Sequence, residues 1–209
     1  MTFNLLVLTA VLAQAQSVGI FSNSGDVGGP AIKGSTQFSD GQYRITGSGA
    51  NIWAKQDQFQ FVWREITGNF TVTATLRFLG QGSEHRKAGI MVRQSLDTDA
   101  TYADVVIHGN GMPGVQFRTT KADNTNTVDL PIEGPGTFKL RLVRVGSTIT
   151  VWSAKNGAPL RELGHTANQL GSPVLLGLGV SSHTQAAANT VLFSDLTVEQ
   201  LASPATRKK

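Results

Sequence analysis

From Asn69 to Phe78 apolar and polar side chains alternate strictly. Phe70, Val72, Ala74, Leu76 and Phe78 share one parity, and Thr71, Thr73, Thr75 and Arg77 share the other. A two-residue period puts the first set on one face of an extended chain, which is the pattern of a half-buried β-strand. Gln58 to Arg64 repeats it, with Phe59, Phe61 and Trp63 set against Gln58, Gln60 and Arg64; the three aromatic side chains are assigned to the core. The same reading places strands near 87–95, 102–108, 114–119, 137–144, 148–153, 174–182 and 190–198. Val145-Gly146-Ser147 reads as a tight hairpin connection. So does Lys155-Asn156-Gly157, because Asn-Gly supplies the two left-handed residues of a type I′ turn. No long stretch carries the i, i+3, i+4 apolar stripe of a helix, and residues 184–189 have room for one helical turn. Many short strands, regular turns and neither a repeat nor a linker predict an all-β sandwich or barrel, most simply one sandwich of about 12 strands.

Composition agrees with that pattern. The 209 residues include 23 Gly and 7 Pro, and only 15% are charged. That is low beside the usual ~25% and unlike a helical bundle. There is no Cys, so no disulfide framework, Cys-based zinc site or thiol nucleophile is available. The formal charge is 18 − 14 = +4, but Arg207, Lys208 and Lys209 supply three of the positive charges. Without them the body is 15 − 14 = +1, so the basicity belongs to a tail and no nucleic-acid partner is expected. Residues 1–25 contain no Lys, Arg, Asp or Glu, and the apolar run Leu5–Ala13 leads into Ala13-Gln14-Ala15, a pattern that signal peptidase cuts. The run is too short to span about 30 Å of hydrocarbon. The expected organisation is a signal peptide over 1–15, a β-sandwich over 16–201 and a basic tail or linker start over 202–209. The expected location is secreted or periplasmic, with no membrane span.

Several blocks occur in a recognisable order: Asp26-Val-Gly-Gly-Pro30, Gly47-Ser-Gly-Ala-Asn-Ile-Trp53, Asp57-Gln-Phe-Gln-Phe61, Lys87-Ala-Gly-Ile-Met-Val-Arg93, Gly111 followed by Val115-Gln-Phe-Arg118, and Gly177-Leu-Gly-Val-Ser-Ser-His183. Together they resemble the concanavalin-A-like, laminin-G-type jelly-roll module of secreted bacterial proteins, the enolase-regulator-like family, over roughly residues 25–198. The resemblance implies a two-sheet antiparallel jelly roll. It also implies glycan binding, often beside glycoside hydrolase or Tol-type propeller domains, so that other domains of a larger protein become possible partners. Two departures stand out. Asn51 and Asn69 replace acidic residues of the family pattern, which weakens any metal or acid/base role there.

Candidate chemistry follows from parity. On the 87–95 strand, Ala88, Ile90 and Val92 suit a core, which leaves Lys87 and Arg93 on the opposite face, where an Arg fork can grip a carboxylate or vicinal hydroxyls. The plainer alternative pairs Arg93 with a structural carboxylate such as Asp57. Sugar binding needs a flat aromatic surface and fixed polar groups. Trp53, after a Gly-rich loop, and Trp152, out of phase with Ile149 and Val151, are the platform candidates. His108 lies on the polar parity of its strand, and His183 ends the Ser-Ser-His block. The expected ligand-binding set is Trp53, Asp57, Lys87, Arg93, His108, Arg118, Trp152 and His183.

No metal site and no cofactor are expected. The nearest approach is Asp97-Thr98-Asp99, whose oxygens suit Ca²⁺, although two acids in a turn are usually just a turn. A glycosidase needs two carboxylates about 5–10 Å apart, whereas Glu65, Glu84, Asp104, Glu133 and Glu162 are isolated in the sequence. No nucleophile elbow or phosphate loop occurs. The expectation is a non-catalytic extracellular carbohydrate-binding module. A structural or adhesion module of a cell-envelope assembly is the first alternative. A jelly-roll polysaccharide lyase or hydrolase is the second.

Overall fold

Alternating sequences of this kind cannot bury one apolar face alone, so the strands pair into sheets and the sheets face each other. The computed structural model describes residues 18–202 except 129 and 168. The proposed signal peptide and nearly all of the basic tail lie outside the described residues. Sixteen strands follow in chain order: β1 (Asn23–Val27), β2 (Ser35–Ser39), β3 (Gln42–Gly49), β4 (Ile52–Trp53), β5 (Gln56–Asp57), β6 (Phe59–Ile66), β7 (Asn69–Leu79) and β8 (Lys87–Arg93) come first. They are followed by β9 (Tyr102–His108), β10 (Pro113–Arg118), β11 (Asn126–Val128), β12 (Phe138–Val145), β13 (Thr148–Lys155), β14 (Arg161–Ala167), β15 (Val174–Ser181) and β16 (Thr184–Leu201). There is no helix among the described residues, hence none long and apolar enough to cross a membrane.

Two seven-stranded sheets form the sandwich. The first runs β1-β6-β15-β8-β9-β10-β11 and the second β14-β13-β12-β7-β16-β3-β2, with every pairing antiparallel. The two-stranded ribbon β4–β5 stands apart from both. This is the all-β antiparallel jelly roll expected, with sixteen strands in place of about twelve. The extra ones are mostly short edge and ribbon strands whose alternation is too brief to register. Both expected hairpins form: Val145 pairs with Thr148 across Gly146-Ser147, and Asn156 and Gly157 both have positive φ, 50° and 82°. Residues 184–189 form no helical turn. They belong to β16, where Thr184 pairs with Gly49 and Asn189 with Gly47, so the residues between bow out of the ladder.

The inter-sheet core takes Phe70, Val72 and Leu76 from β7, Ile90 and Val92 from β8, Leu140 and Leu142 from β12, and Leu176 and Leu178 from β15. β6 differs from expectation. Val62 and Ile66 enter this core, whereas Phe59, Phe61 and Trp63 point to the outer face of the first sheet. There they form a second apolar cluster with Val27, Ile52, Met91 and Tyr102, in which Phe59 and Phe61 are wholly buried and Trp63 is half-buried. Trp63 stacks on Phe61 at a centroid distance of 5.4 Å and an interplanar angle of 10°. The alternation is genuine, but both faces of β6 are apolar. Ile52 brings the β4–β5 ribbon onto that outer face, and every residue of β8 and β9 is buried as a result.

Candidate functional site

Burial of the outer face puts polar side chains of β8, β9 and β10 under cover, where each needs a partner. At one end of this face Arg118 grips Asp57 with two hydrogen bonds, both 2.9 Å, and both residues are fully buried. The Arg118 guanidinium also donates to the carbonyls of Ala54, Ala100 and Asp123, each at 2.9 Å. Arg93, 3.6 Å from Asp57, donates to the carbonyls of Ser95 (2.6 Å) and Asp97 (2.5 Å). Burial pushes the Asp57 carboxyl up against the pull of Arg118 and Arg93. Desolvation opposes the Arg118 charge, yet the hydrogen bonds and charge of Asp57 leave that guanidinium raised. These three residues fasten the β4–β5 ribbon and two loops to the sheet. The guanidinium donors are spent on carbonyls, the Asp57 carboxylate, the Thr125 hydroxyl and the Met91 sulfur, so Asp57, Arg93 and Arg118 lie beneath the surface as fasteners rather than at a binding face. The Arg93–Asp57 pairing is the plainer of the two alternatives that the sequence left open.

At the other end of the same face a pocket of about 420 Å³ is open. Strand register builds its floor: Lys87 of β8 pairs with His108 of β9 on one side and with Ser181 of β15 on the other. Ser181 leads into His183, whose φ of 60° is left-handed. Gln116 of β10 and its β11 partner Thr127 add one wall. Trp53 and Asn51, at the ribbon, add another, and His85 and Met112 come from loops. Trp53, 36% exposed, also lines a shallow neighbouring depression of about 670 Å³ with Ala54, Lys55, Gln56 and Asn124. The indole therefore stands between two concavities.

Electrostatics in the pocket follow from desolvation. Lys87 is almost fully buried; its ammonium donates to Asn51 Oδ1 at 2.5 Å and lies 5.4 Å from the Trp53 ring centroid. Burial lowers its pKa to about 8, against the opposing pull of Asp104 and Asp57. His108 is lowered to about 4 by burial and by Lys87. Its Nδ1 lies 3.0 Å from the Met112 carbonyl, which can only accept, so Nδ1 carries the proton and neutral His108 offers Nε2 as an acceptor. His183 is lowered chiefly by burial. The His85 ring lies 5.3 Å from that of His183 and 6.2 Å from that of His108. Beneath them Asp104, opposite Gln116 in the ladder, is wholly buried and its carboxyl is held well above the ordinary range by burial. The Gln116 backbone N–H and Lys87 pull it the other way, but no donor meets either oxygen at hydrogen-bond geometry. Gln116 Oε1 and His183 Nδ1 are buried without a partner as well.

Four of the eight expected residues thus meet in one pocket: Trp53, Lys87, His108 and His183. Trp152 does not join them. It is half-buried on β13 of the second sheet, out of phase with the core residue Val151, and so lies on the opposite side of the sandwich. Sequence reasoning missed Asn51, His85, Met112, Gln116 and Thr127. Gln116 was within reach, since it shares the parity of Arg118; His85 and Met112 sit in loops that carry no periodic signal. Asp97 and Asp99, the calcium candidates, both pair with the Lys121 ammonium. Among the described residues no cluster of three or more His, Asp or Glu side chains could hold a metal. Glu65, Glu84, Glu133 and Glu162 are outside the pocket lining.

Solved structures share this fold. A functionally unknown protein from Saccharomyces cerevisiae superposes with a TM-score of 0.66 at 17% identity, covering 86% of this chain and 97% of the other. The carbohydrate-binding module CBM66 from Bacillus subtilis gives 0.55 at 14%, covering 82% and 94%. The alginate lyase from Klebsiella pneumoniae gives 0.54 at 11%, covering 82% and 85%. The chain has the concanavalin-A-like, lectin-type fold. At these identities the likeness establishes architecture alone, and the fold carries binding modules and enzymes alike. Neither a protein-family profile nor a curated protein matches the chain.

Proposed function

We propose that the protein is an exported, non-catalytic carbohydrate-binding module whose ligand lies over Trp53. The observation that carries this reading is that a part-exposed indole and the buried, unpartnered polar atoms Gln116 Oε1 and His183 Nδ1 belong to residues lining one pocket. A pyranose has an apolar ring face that stacks on an aromatic surface and hydroxyls that both donate and accept. Each unmet buried polar atom costs about 1–3 kcal/mol, a penalty relieved when a hydroxyl reaches it. Neutral His108, with Nε2 as acceptor, fits the same ligand. Among the described residues the lining holds no Asp or Glu, which favours binding over two-carboxylate glycoside hydrolysis. The CBM66 likeness and the order of blocks that resembles the enolase-regulator-like family support the reading too. Export is supported by the uncharged first 25 residues and Ala13-Gln14-Ala15.

A glycan array with the wild type and Trp53→Ala tests the proposal. Wild type is expected to retain a restricted set of glycans, and Trp53→Ala to lose at least tenfold in affinity with its melting temperature little changed. Retention of no glycan above background overturns the proposal, and so does full binding by Trp53→Ala. An assay for unsaturated or reducing ends on the retained glycans should stay at background.

A further inference from the structure

Among the described residues, the ionisable side chains that line the two concavities beside Trp53 are all basic: Lys87, His85, His108 and His183 in the pocket and Lys55 in the neighbouring depression. Lys87 is the decisive member. Its closest partner is the neutral amide oxygen of Asn51, at 2.5 Å, with the Ile52 carbonyl at 3.4 Å, so among the described residues no anion touches the ammonium and one of its three protons lacks an acceptor. The two carboxylates that feel its charge are otherwise engaged. Asp57 is held by Arg118 and Arg93, and Asp104 is sealed under the sheet surface where burial favours its neutral form. A nearly buried cation with no contacting counter-charge, beside a sugar-sized platform, leaves a charge for the ligand to meet.

We propose that the pocket binds a sugar bearing an anionic group, a carboxylate or a sulfate, with Lys87 as the counter-charge and Trp53 as the platform. This rests on the carbohydrate reading above. Asn51 is what makes it possible: an Asp at this position would place a carboxylate on Lys87 and close the charge internally. The Ile52 N–H, 2.9 Å from Asn51 Oδ1, would be kept by the isosteric Asp.

Calorimetric titration at pH 7 and low salt compares trigalacturonate with its methyl ester, and a sulfated galactose tetrasaccharide with its desulfated form. The expected result is at least tenfold tighter binding of one charged form than of its neutral counterpart. That preference should shrink in high salt and fade as the pH is raised past about 8, where Lys87 loses its proton. Asn51→Asp is expected to abolish the preference while its melting temperature stays near that of wild type, and Lys87→Gln provides a second route to the same loss should Asn51→Asp not fold. Which charged form is preferred separates carboxylate from sulfate. Equal binding of charged and neutral partners overturns this inference and leaves the carbohydrate reading standing. No binding by any of the four overturns this inference, while the carbohydrate reading stands or falls with the glycan array.

Discussion

Asp104 shows how much a single side chain can say about this molecule. It sits on the polar parity of β9, wholly buried, with both oxygens unpartnered. Burial raises its folded-state pKa well above the ordinary value, so between the two values the folded protein binds the proton more tightly than the unfolded chain does. Stability from this group is complete below the unfolded pKa of about 3.9, and it is lost as pH rises through the folded value. Asp104→Asn keeps the shape without the charge. It is expected to be more stable than wild type in urea at pH 7, with the gain vanishing towards pH 4. His108 works in the opposite sense, stabilising above its unfolded value and less so as pH falls towards about 4, but it is present in both proteins and cancels in the comparison. A variant that is less stable at pH 7 would mean that the carboxylate is charged and usefully paired. At this scale parity was legible: Lys87 and Arg93 were placed off the inter-sheet core, where the structure has them, as it also has Arg118. Their fates were not, because the carbonyls that capture Arg93 and Arg118 come from loops near 95–100, 54 and 123, whose approach no periodicity encodes.

Elements depend on what lies across them, and β15 depends on its glycines. A Cβ at Gly177 would lie 2.1 Å from the Val62 carbonyl oxygen and 2.6 Å from the Phe61 ring. The strand is bare there so that the β6 rings can lie across it and form the second cluster. Gly177→Ala is expected to cost at least about 2 kcal/mol in equilibrium unfolding, in the range of core overpacking. Gly25→Ala, on the edge strand β1, would meet nothing nearer than 3.8 Å and should be almost neutral. Equal effects would refute this account of the second cluster. Most of the long strands could be read from alternation, though β3 and β14 were not, and the two hairpins could be read from their turn residues. The orientation of β6 could not. Phe59, Phe61 and Trp63 announce a buried face, but a strand with Val62 and Ile66 on its other side has two, and only the β4–β5 ribbon decides how the outer one is covered.

For the whole molecule, the sandwich places its two candidate platforms back to back. Trp53 belongs to the outer face of the first sheet, with Lys87, His108, His183 and Gln116, and Trp152 to the outer face of the second. Half of the expected site was legible because Lys87, His108 and His183 lie near strand ends that register brings together. Trp152 was not separable from Trp53 in the sequence, since alternation says that a residue faces away from the core and is silent on which sheet it faces away from. The two indoles give the most direct test of the central claim. The ¹⁵N-labelled protein is titrated with the strongest glycan from the array while the tryptophan indole N–H signals, assigned with Trp53→Phe and Trp152→Phe, are followed. The account predicts that the Trp53 indole and the backbone amides of Lys87 and His183 shift saturably while the Trp152 indole stays still. Movement of Trp152 with Trp53 unmoved, or no shift at saturating ligand, would contradict it.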